Sequence, residues 1–547
     1  MRRTFLGGKI RTLDPNLPEA DFIVVADGRV EEVGRGKWTA PIESDIEEVE
    51  LDGGTLLPGF IDAHIHFSQF AWEASLHDLS GVCGLGHLWE RLVSCDERRV
   101  GGWLVGRRLP PGVFLEVKEY RGMALSDVVL NGPLIIGTAD MHTALLDRAG
   151  FEAVCSGGIL DMVMDDLVEV CGDLVVLHEG AAIAAWRWLE SSIKALDEAA
   201  VVDAVERLHE VGITGIYTFE RLHDLVSLRE VEAFRRGLRA AGGFYDEDLD
   251  SVLEKGGAAF GRGVTPGGLK LFVDGALGSR TAWLFEPYDD TGTCGVEATP
   301  LDRLRSAALR ACEGGLPICL HAIGDRAVST ALEVVEGVSG VGAGGQHRHR
   351  VEHIQLIRRE DIGRLADLRV VASVQPLHIV EDRVQAEKAW GERCGRSYPV
   401  RSLLEAGVSL AFGSDAPAGQ ADPMAAVRVA ATRRLEGEED PGEVPWYRDE
   451  RISVEEAVTA HTVGSAGACG WRDAGVITKG SRADFVALSH DPFRSEVDLV
   501  SARVRGTIVG GEVVYWVSKT CRSGSRDTCR HRVEGRRGMP RPSRDLH

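Results

Sequence analysis

The stretch Leu57-Pro58-Gly59-Phe60-Ile61-Asp62-Ala63-His64-Ile65-His66-Phe67 carries more information than any other part of this chain. An apolar run ends in His-x-His, and residues i and i+2 of a β-strand point to the same face. Two imidazoles therefore project side by side from the tip of a buried strand, and imidazole suits zinc, nickel, copper or iron. Further along, Lys270, His321, His353 and Asp415 each stand in or near the end of an apolar run of their own. Such a donor set points to metal-dependent hydrolysis.

Working outward, the chain alternates strand-like and helix-like segments, which argues for a parallel α/β architecture. Expected strands are Gly59–His66, Ile213–Phe219, Leu269–Asp274, Pro317–His321, Val351–Ile354, Val370–Gln375 and Val408–Ser414. Helical stretches such as Ala199–Val211, Asp302–Glu313 and Ala327–Val335 separate several of them. In a (β/α)₈ TIM barrel the active site lies at the C-terminal ends of the strands. The candidate ligands fall at such ends, except Lys270, which sits inside its strand. One strand is poorly signalled: between Arg229 and Gly268 the residues read as helix, glycines and an acidic turn.

The two chain ends read differently. Phe22-Ile23-Val24-Val25-Ala26 runs into Asp27-Gly28, a hairpin signal, and Val504–Val509 and Glu512–Trp516 flank Gly510-Gly511 in the same style. Neither piece has enough apolar area to stand alone. Residues 1–57 and 470–517 are therefore expected to form one composite β-sandwich domain, with the barrel built from 58–67 and 196–469. Residues 68–195 are too long for a barrel loop and read as an inserted α/β subdomain. Residues 518–547 are rich in Arg, Ser and Gly and read as a disordered tail.

Bulk properties narrow the class. The 547 residues exceed one simple core, and 84 acidic against 62 basic residues give a formal charge of −22. That balance argues against a nucleic-acid partner bound through a basic surface. The 11 cysteines are scattered without a C-x-x-C pair and read as reduced thiols. No signal-peptide h-region and no membrane-length apolar run is visible, so the reading is a cytoplasmic protein with a small-molecule substrate and no membrane partner. The sequence leaves open whether it is a homo-oligomer.

Seven strings then carry a family likeness: LPGFIDAHIHF (57–67), GLKLFVDGALGSRTAWL (268–284), LHAIGDRAV (320–328), HRVEHIQL (349–356), SVQPLH (373–378), FGSDAP (412–417) and GSRADFVAL (480–488). In this order they resemble the amidohydrolase superfamily, and within it the amidohydrolase-3 branch that includes the N-substituted formamide deformylases. The resemblance implies a one- or two-metal centre, zinc being the first expectation, held by His64, His66, Lys270, His321, His353 and Asp415. It implies that Asp415 also accepts the proton of the attacking water, so that an amide, formamide or cyclic amide C–N bond is hydrolysed.

Lys270 in the apolar run Gly268–Asp274 is costly to bury as an ammonium. A neutral amine can add CO2 to form a carbamate, which the resemblance implies would bridge two cations. Pairing with Asp274 or snorkelling to solvent are the alternatives. Around the centre, His378 after Gln375-Pro376 is a candidate to polarise a carbonyl or donate to a leaving group. Arg280 in Gly278–Ala282 is a candidate grip for a carboxylate or amide oxygen, with a surface arginine as the plainer alternative. Asp140 and His142 are further substrate-pocket candidates; the resembled family carries Asp-Gly-His there, so Met141 is a departure. Trp72 and Trp103 fit core packing better than a pocket wall. Two rival readings are a mononuclear metal deaminase and a non-catalytic barrel scaffold. No His-x-x-Glu signature marks the acid that the first needs, and the complete ligand set opposes the second.

Overall fold

The computed structural model describes residues 2–39, 46–74, 76–95, 99–119, 132–138, 143–158, 168–171, 174–192, 198–261, 263–341, 348–434 and 445–517. Asp140 and His142, and the expected tail at 518–547, lie outside the described residues.

Eight parallel strands form the central sheet: β1 (Phe60–Ile65), β2 (Ile213–Phe219), β3 (Arg239–Tyr245), β4 (Val264–Phe272), β5 (Ile318–Ala322), β6 (Arg350–His353), β7 (Val371–Val374) and β8 (Ser409–Phe412). They are hydrogen-bonded in sequence order from β1 to β8. Every residue of β1, β2, β6 and β7 is buried, as expected of parallel strands covered on both faces. Helices Glu198–Glu210, Leu301–Glu313, Asp325–Gly337 and Arg359–Asp367 lie between strands in the chain. Each sends its apolar stripe into one continuous core with residues such as Leu208, Leu304 and Leu332.

The ring closes just beyond the strand tips. The Asp415 amide donates to the His64 carbonyl at 2.7 Å and the His66 amide to the Ala416 carbonyl at 2.9 Å. Below these, the buried Asp62 carboxylate accepts from the amides of Ser414 (2.9 Å) and His64 (3.1 Å). Gly413 lets the two ends meet, since a Cβ there would lie 2.5 Å from the His64 nitrogen. The fold is a (β/α)₈ barrel, closed at the residues that the sequence singles out.

The poorly signalled strand is β3, Arg-Ala-Ala-Gly-Gly-Phe-Tyr. Its small residues look like a loop in sequence, yet they answer to packing. A Cβ on Gly243 would come within 2.5 Å of the Phe219 ring, so only glycine fits at that point of the barrel.

Both chain ends share one six-stranded sheet, in the order Glu512–Trp516, Val504–Val509, Phe485–Leu488, Thr55–Pro58, Lys9–Arg11 and Glu19–Ala20. A four-stranded sheet (Arg29–Gly34, Phe22–Ala26, Arg2–Leu6, Ile46–Glu50) packs against it. Phe5, Ile23 and Val25 of the smaller sheet meet Leu56, Phe485 and Ile508 of the larger, with Phe5 edge-on to Phe485 at 5.6 Å. Both expected hairpins are present: Ala26 pairs with Arg29 around Asp27-Gly28, and Val509 with Glu512 around Gly510-Gly511. All four turn residues have positive φ, as tight primed turns require.

Between β1 and Glu198–Glu210 lies a third sheet of six strands, running from His77–Asp78 to Leu174–His178 in the chain. It has apolar clusters of its own. Trp103 is buried in one of these and Trp72 packs against it, so both serve core packing. No helix among the described residues is long and apolar enough to cross a membrane.

Candidate metal centre

His64 and His66 stand at and just beyond the end of β1, and both Nε2 atoms face Asp415 Oδ1, at 3.2 and 3.3 Å. Asp415 lies three residues past β8, where backbone bonding to the His64 strand holds it. Two candidate ligand groups converge on it: His64, His66 and Asp415, and His353, His378 and Asp415, with donor atoms within 4.8 Å of one another in each group. His321 on β5 stacks edge-on to His353 with ring centroids 4.4 Å apart.

Three of these imidazoles are held in a defined tautomer by the groups behind them. His64 Nδ1–H donates to Glu352 Oε2 at 2.8 Å. Glu352 can only accept, because Arg350 donates to it through Nε (2.8 Å) and a terminal nitrogen (3.1 Å). That leaves His64 Nε2 with its lone pair, buried and without a hydrogen-bond partner. His353 Nδ1–H donates to Gln375 Oε1 at 2.9 Å, and His321 Nε2–H to the Gly275 carbonyl at 3.0 Å. Each ring therefore keeps one lone pair available, as a ligand supported by its outer partners does.

The electrostatics agree. Burial drives the His321 imidazole down to about 3 and, together with neighbouring His321, holds His353 well below its ordinary range. His321 and His353 are thus neutral, and the His64 Nε2 lone pair faces the Asp415 carboxylate. An orphaned buried nitrogen facing a carboxylate is repulsive in isolation and favourable around a cation, so the residues fit a divalent metal. Backbone strain marks the same positions: His353, Ile354 and Asp415 have φ of 76°, 49° and 57°. Left-handed geometry at such residues costs about 1–3 kcal/mol each and persists where the surroundings enforce it.

Lys270 lies two residues before the end of β4 and is 2 % exposed. Its Nζ sits 4.3 Å from the Phe219 ring centre, and burial lowers its pKa. Among the described residues no carboxylate pairs with it. Asp274 instead accepts the amides of Trp283, Ile323 and Gly324. Lys270 also lines a cavity of about 400 Å³, open to solvent, together with Tyr245, Phe272, Arg221 and Arg303.

His378 is buried on a one-turn helix, His378–Glu381, after β7. Arg280 already has partners: Asp290 takes its guanidinium at 2.7 Å and the Leu277 carbonyl accepts from it at 2.7 Å. The arginines on the cavity rim are Arg221 and Arg303, which sequence reading passed over because nothing local marks them. Glu352 and Arg350 were visible in principle. Two opposite charges at i and i+2 of an apolar strand share one buried face, and only mutual pairing makes that tolerable.

The model of the Amidohydrolase family (Amidohydro_3) matches residues 47–515. The chain is 28 % identical to the protein LONG AFTER FAR-RED 3 of Arabidopsis thaliana, over 93 % of this chain and 90 % of that protein. It is 26 % identical to the N-substituted formamide deformylase of Arthrobacter pascens, over 95 % of this chain and 98 % of the deformylase. Among solved structures, an uncharacterized metal-dependent hydrolase from Pyrococcus furiosus superposes with a TM-score of 0.75 at 27 % identity, covering 90 % of this chain and 100 % of that one.

Proposed function

The chain belongs to the amidohydrolase family, and on that premise we propose that it hydrolyses the C–N bond of an amide, an N-substituted formamide among the first candidates. The observation that carries this reading is the Asp415 carboxylate, with donor atoms of His64, His66 and His353 each within 4.8 Å of it. When bound, a divalent cation at such a site supplies Lewis acidity and lowers the pKa of water.

Asp415 has an oxygen on the side of His64 and His66 and accepts the proton of water as it attacks the carbonyl carbon. It then returns that proton to the departing nitrogen. His378 hydrogen-bonds the carbonyl oxygen, where negative charge develops. Lys270 takes the role of a carbamate: its neutral Nζ attacks CO2, a proton leaves, and the new anion faces the histidines. Burial supports this, because it outweighs the pull of the Glu352 and Asp415 carboxylates and favours the neutral, nucleophilic amine. The cavity beside Lys270 receives the remainder of the substrate.

Elemental analysis with intact mass, on protein purified without chelator and with bicarbonate, tests the centre. About two metals per chain with the mass gain of one CO2 is the expected result. Turnover of N-acyl and formamide substrates should vanish in Asp415→Asn while its metal content stays measurable. Failure to hold metal after zinc or manganese is supplied would overturn the reading.

A further inference from the structure

His378 can be either a cation ligand, as its grouping with His353 and Asp415 allows, or a hydrogen-bond donor; it cannot use the same nitrogen for both. What stands behind its ring decides. Gln355, 4 % exposed, brings its amide nitrogen to 3.3 Å from His378 Nδ1 and to 3.3 Å from Asp382 Oδ2. The Tyr398 hydroxyl donates to that same Asp382 oxygen at 2.8 Å.

We infer that Gln355 is a positioning residue that fixes His378 as the Nε2–H tautomer, making it a donor to substrate and not a metal ligand. Asp382 offers only acceptors, so the Gln355 group facing it must be the NH2. The reversed amide would set its carbonyl oxygen against the carboxylate. With the NH2 so oriented, its second hydrogen points at His378 Nδ1, which must accept and therefore carries no proton. The proton of the neutral ring then resides on Nε2. Neither nitrogen has a lone pair to spare for a cation: Nδ1 is used by Gln355, and Nε2 is protonated. The chain of donors runs Tyr398 to Asp382, Gln355 to Asp382, and Gln355 to His378.

Two further features bear on this arrangement. Gln355 Oε1 is buried and without a partner, so the amide is not oriented by anything bound at its oxygen. The ring is also closely bounded: a Cβ on Gly419 would lie 3.1 Å from His378 Nε2. By contrast His64, His321 and His353 each donate from one nitrogen to an oxygen and keep a lone pair on the other. His378 alone of the four meets a nitrogen donor. The difference separates the ligands from the donor by chemistry, where distance alone does not. That the Nε2–H meets a carbonyl oxygen rests on the proposed amide hydrolysis; the tautomer does not.

Nitrogen-15 NMR of the full chain, labelled at histidine and loaded with cadmium-113, reads the tautomer directly, with His378→Gln identifying the resonances. Nδ1 should show the shift of an unprotonated ring nitrogen, Nε2 that of a protonated one, and neither should couple to cadmium. A proton on Nδ1, or cadmium coupling to either nitrogen of His378, would overturn the assignment. In Gln355→Leu, kcat should fall about 10- to 100-fold with metal content retained, and KM should change much less. Loss of metal with unchanged kcat per loaded site would equally overturn it. If the tautomer is as assigned but no N-acyl substrate is turned over, the proposed reaction fails and the positioning role of Gln355 stands.

Discussion

Replacing Glu352 by Gln perturbs the centre without replacing a candidate ligand. Glu352 is 0 % exposed and Arg350 1 %, and the carboxylate is the buried counter-charge of that guanidinium. Removing one member of a buried ion pair costs about 3–5 kcal/mol, because the other charge stays behind uncompensated. In Glu352→Gln the amide has one acceptor for two claimants. If its oxygen serves Arg350, its NH2 meets His64 Nδ1, which drives the His64 proton to Nε2 and removes the lone pair that faces Asp415. If its oxygen serves His64, the NH2 faces the guanidinium. The first arrangement weakens metal binding about 10- to 100-fold, the usual cost of losing an outer partner of a ligand. The second appears as stability of the metal-free protein, a drop of roughly 5 °C in thermal midpoint for a domain of this size. Chelator competition and melting of metal-free protein measure the two separately. Adding Arg350→Met frees the Gln oxygen to face His64, so the double variant should recover much of both losses. Wild-type metal affinity and melting in Glu352→Gln, or losses in the double variant equal to the sum of the singles, would refute the reasoning.

Gly413→Ala should disturb barrel closure directly, since the added Cβ would lie 2.5 Å from the His64 backbone nitrogen; reduced metal content together with a lower melting midpoint is the expected readout. Burial depresses His461 from 6.5 to about 4. The unfolded chain thus binds the extra proton first, and stability falls as pH drops from 6.5 towards 4, by about 3 kcal/mol in total. His461→Gln should remove that part of the pH dependence, seen as a smaller difference in melting midpoint between pH 6.5 and 4.5. Stripping metal with a chelator should lower the melting midpoint, and zinc or manganese should restore it in proportion to occupancy, because ligand bound only to the folded state stabilises by mass action.

The sequence alone made several things legible, each for a local reason. His64 and His66 share a face because strand side chains alternate, whatever surrounds them. The turns at Asp27-Gly28 and Gly510-Gly511 follow from the backbone freedom of those residues. Seven of the eight barrel strands show as apolar runs because parallel strands are buried on both faces. β3 did not show, since Gly243 answers to the Phe219 ring on the neighbouring strand and Gly242 to the Leu225 side chain, not to strand propensity. The tautomers of the candidate ligands were equally hidden. Glu352 meets His64 across 288 residues of chain, and Asp62 holds Ser414 across 352. Arg280 looked available in its loop until Asp290 came to face it, and Arg221 and Arg303 became a cavity rim only once β2, β3 and β4 stood side by side. Which residues can bind a cation is a property of their own donor atoms and is written in the sequence. Which nitrogen keeps its lone pair depends on what stands behind the ring, and only the closed barrel brings those partners within hydrogen-bond reach.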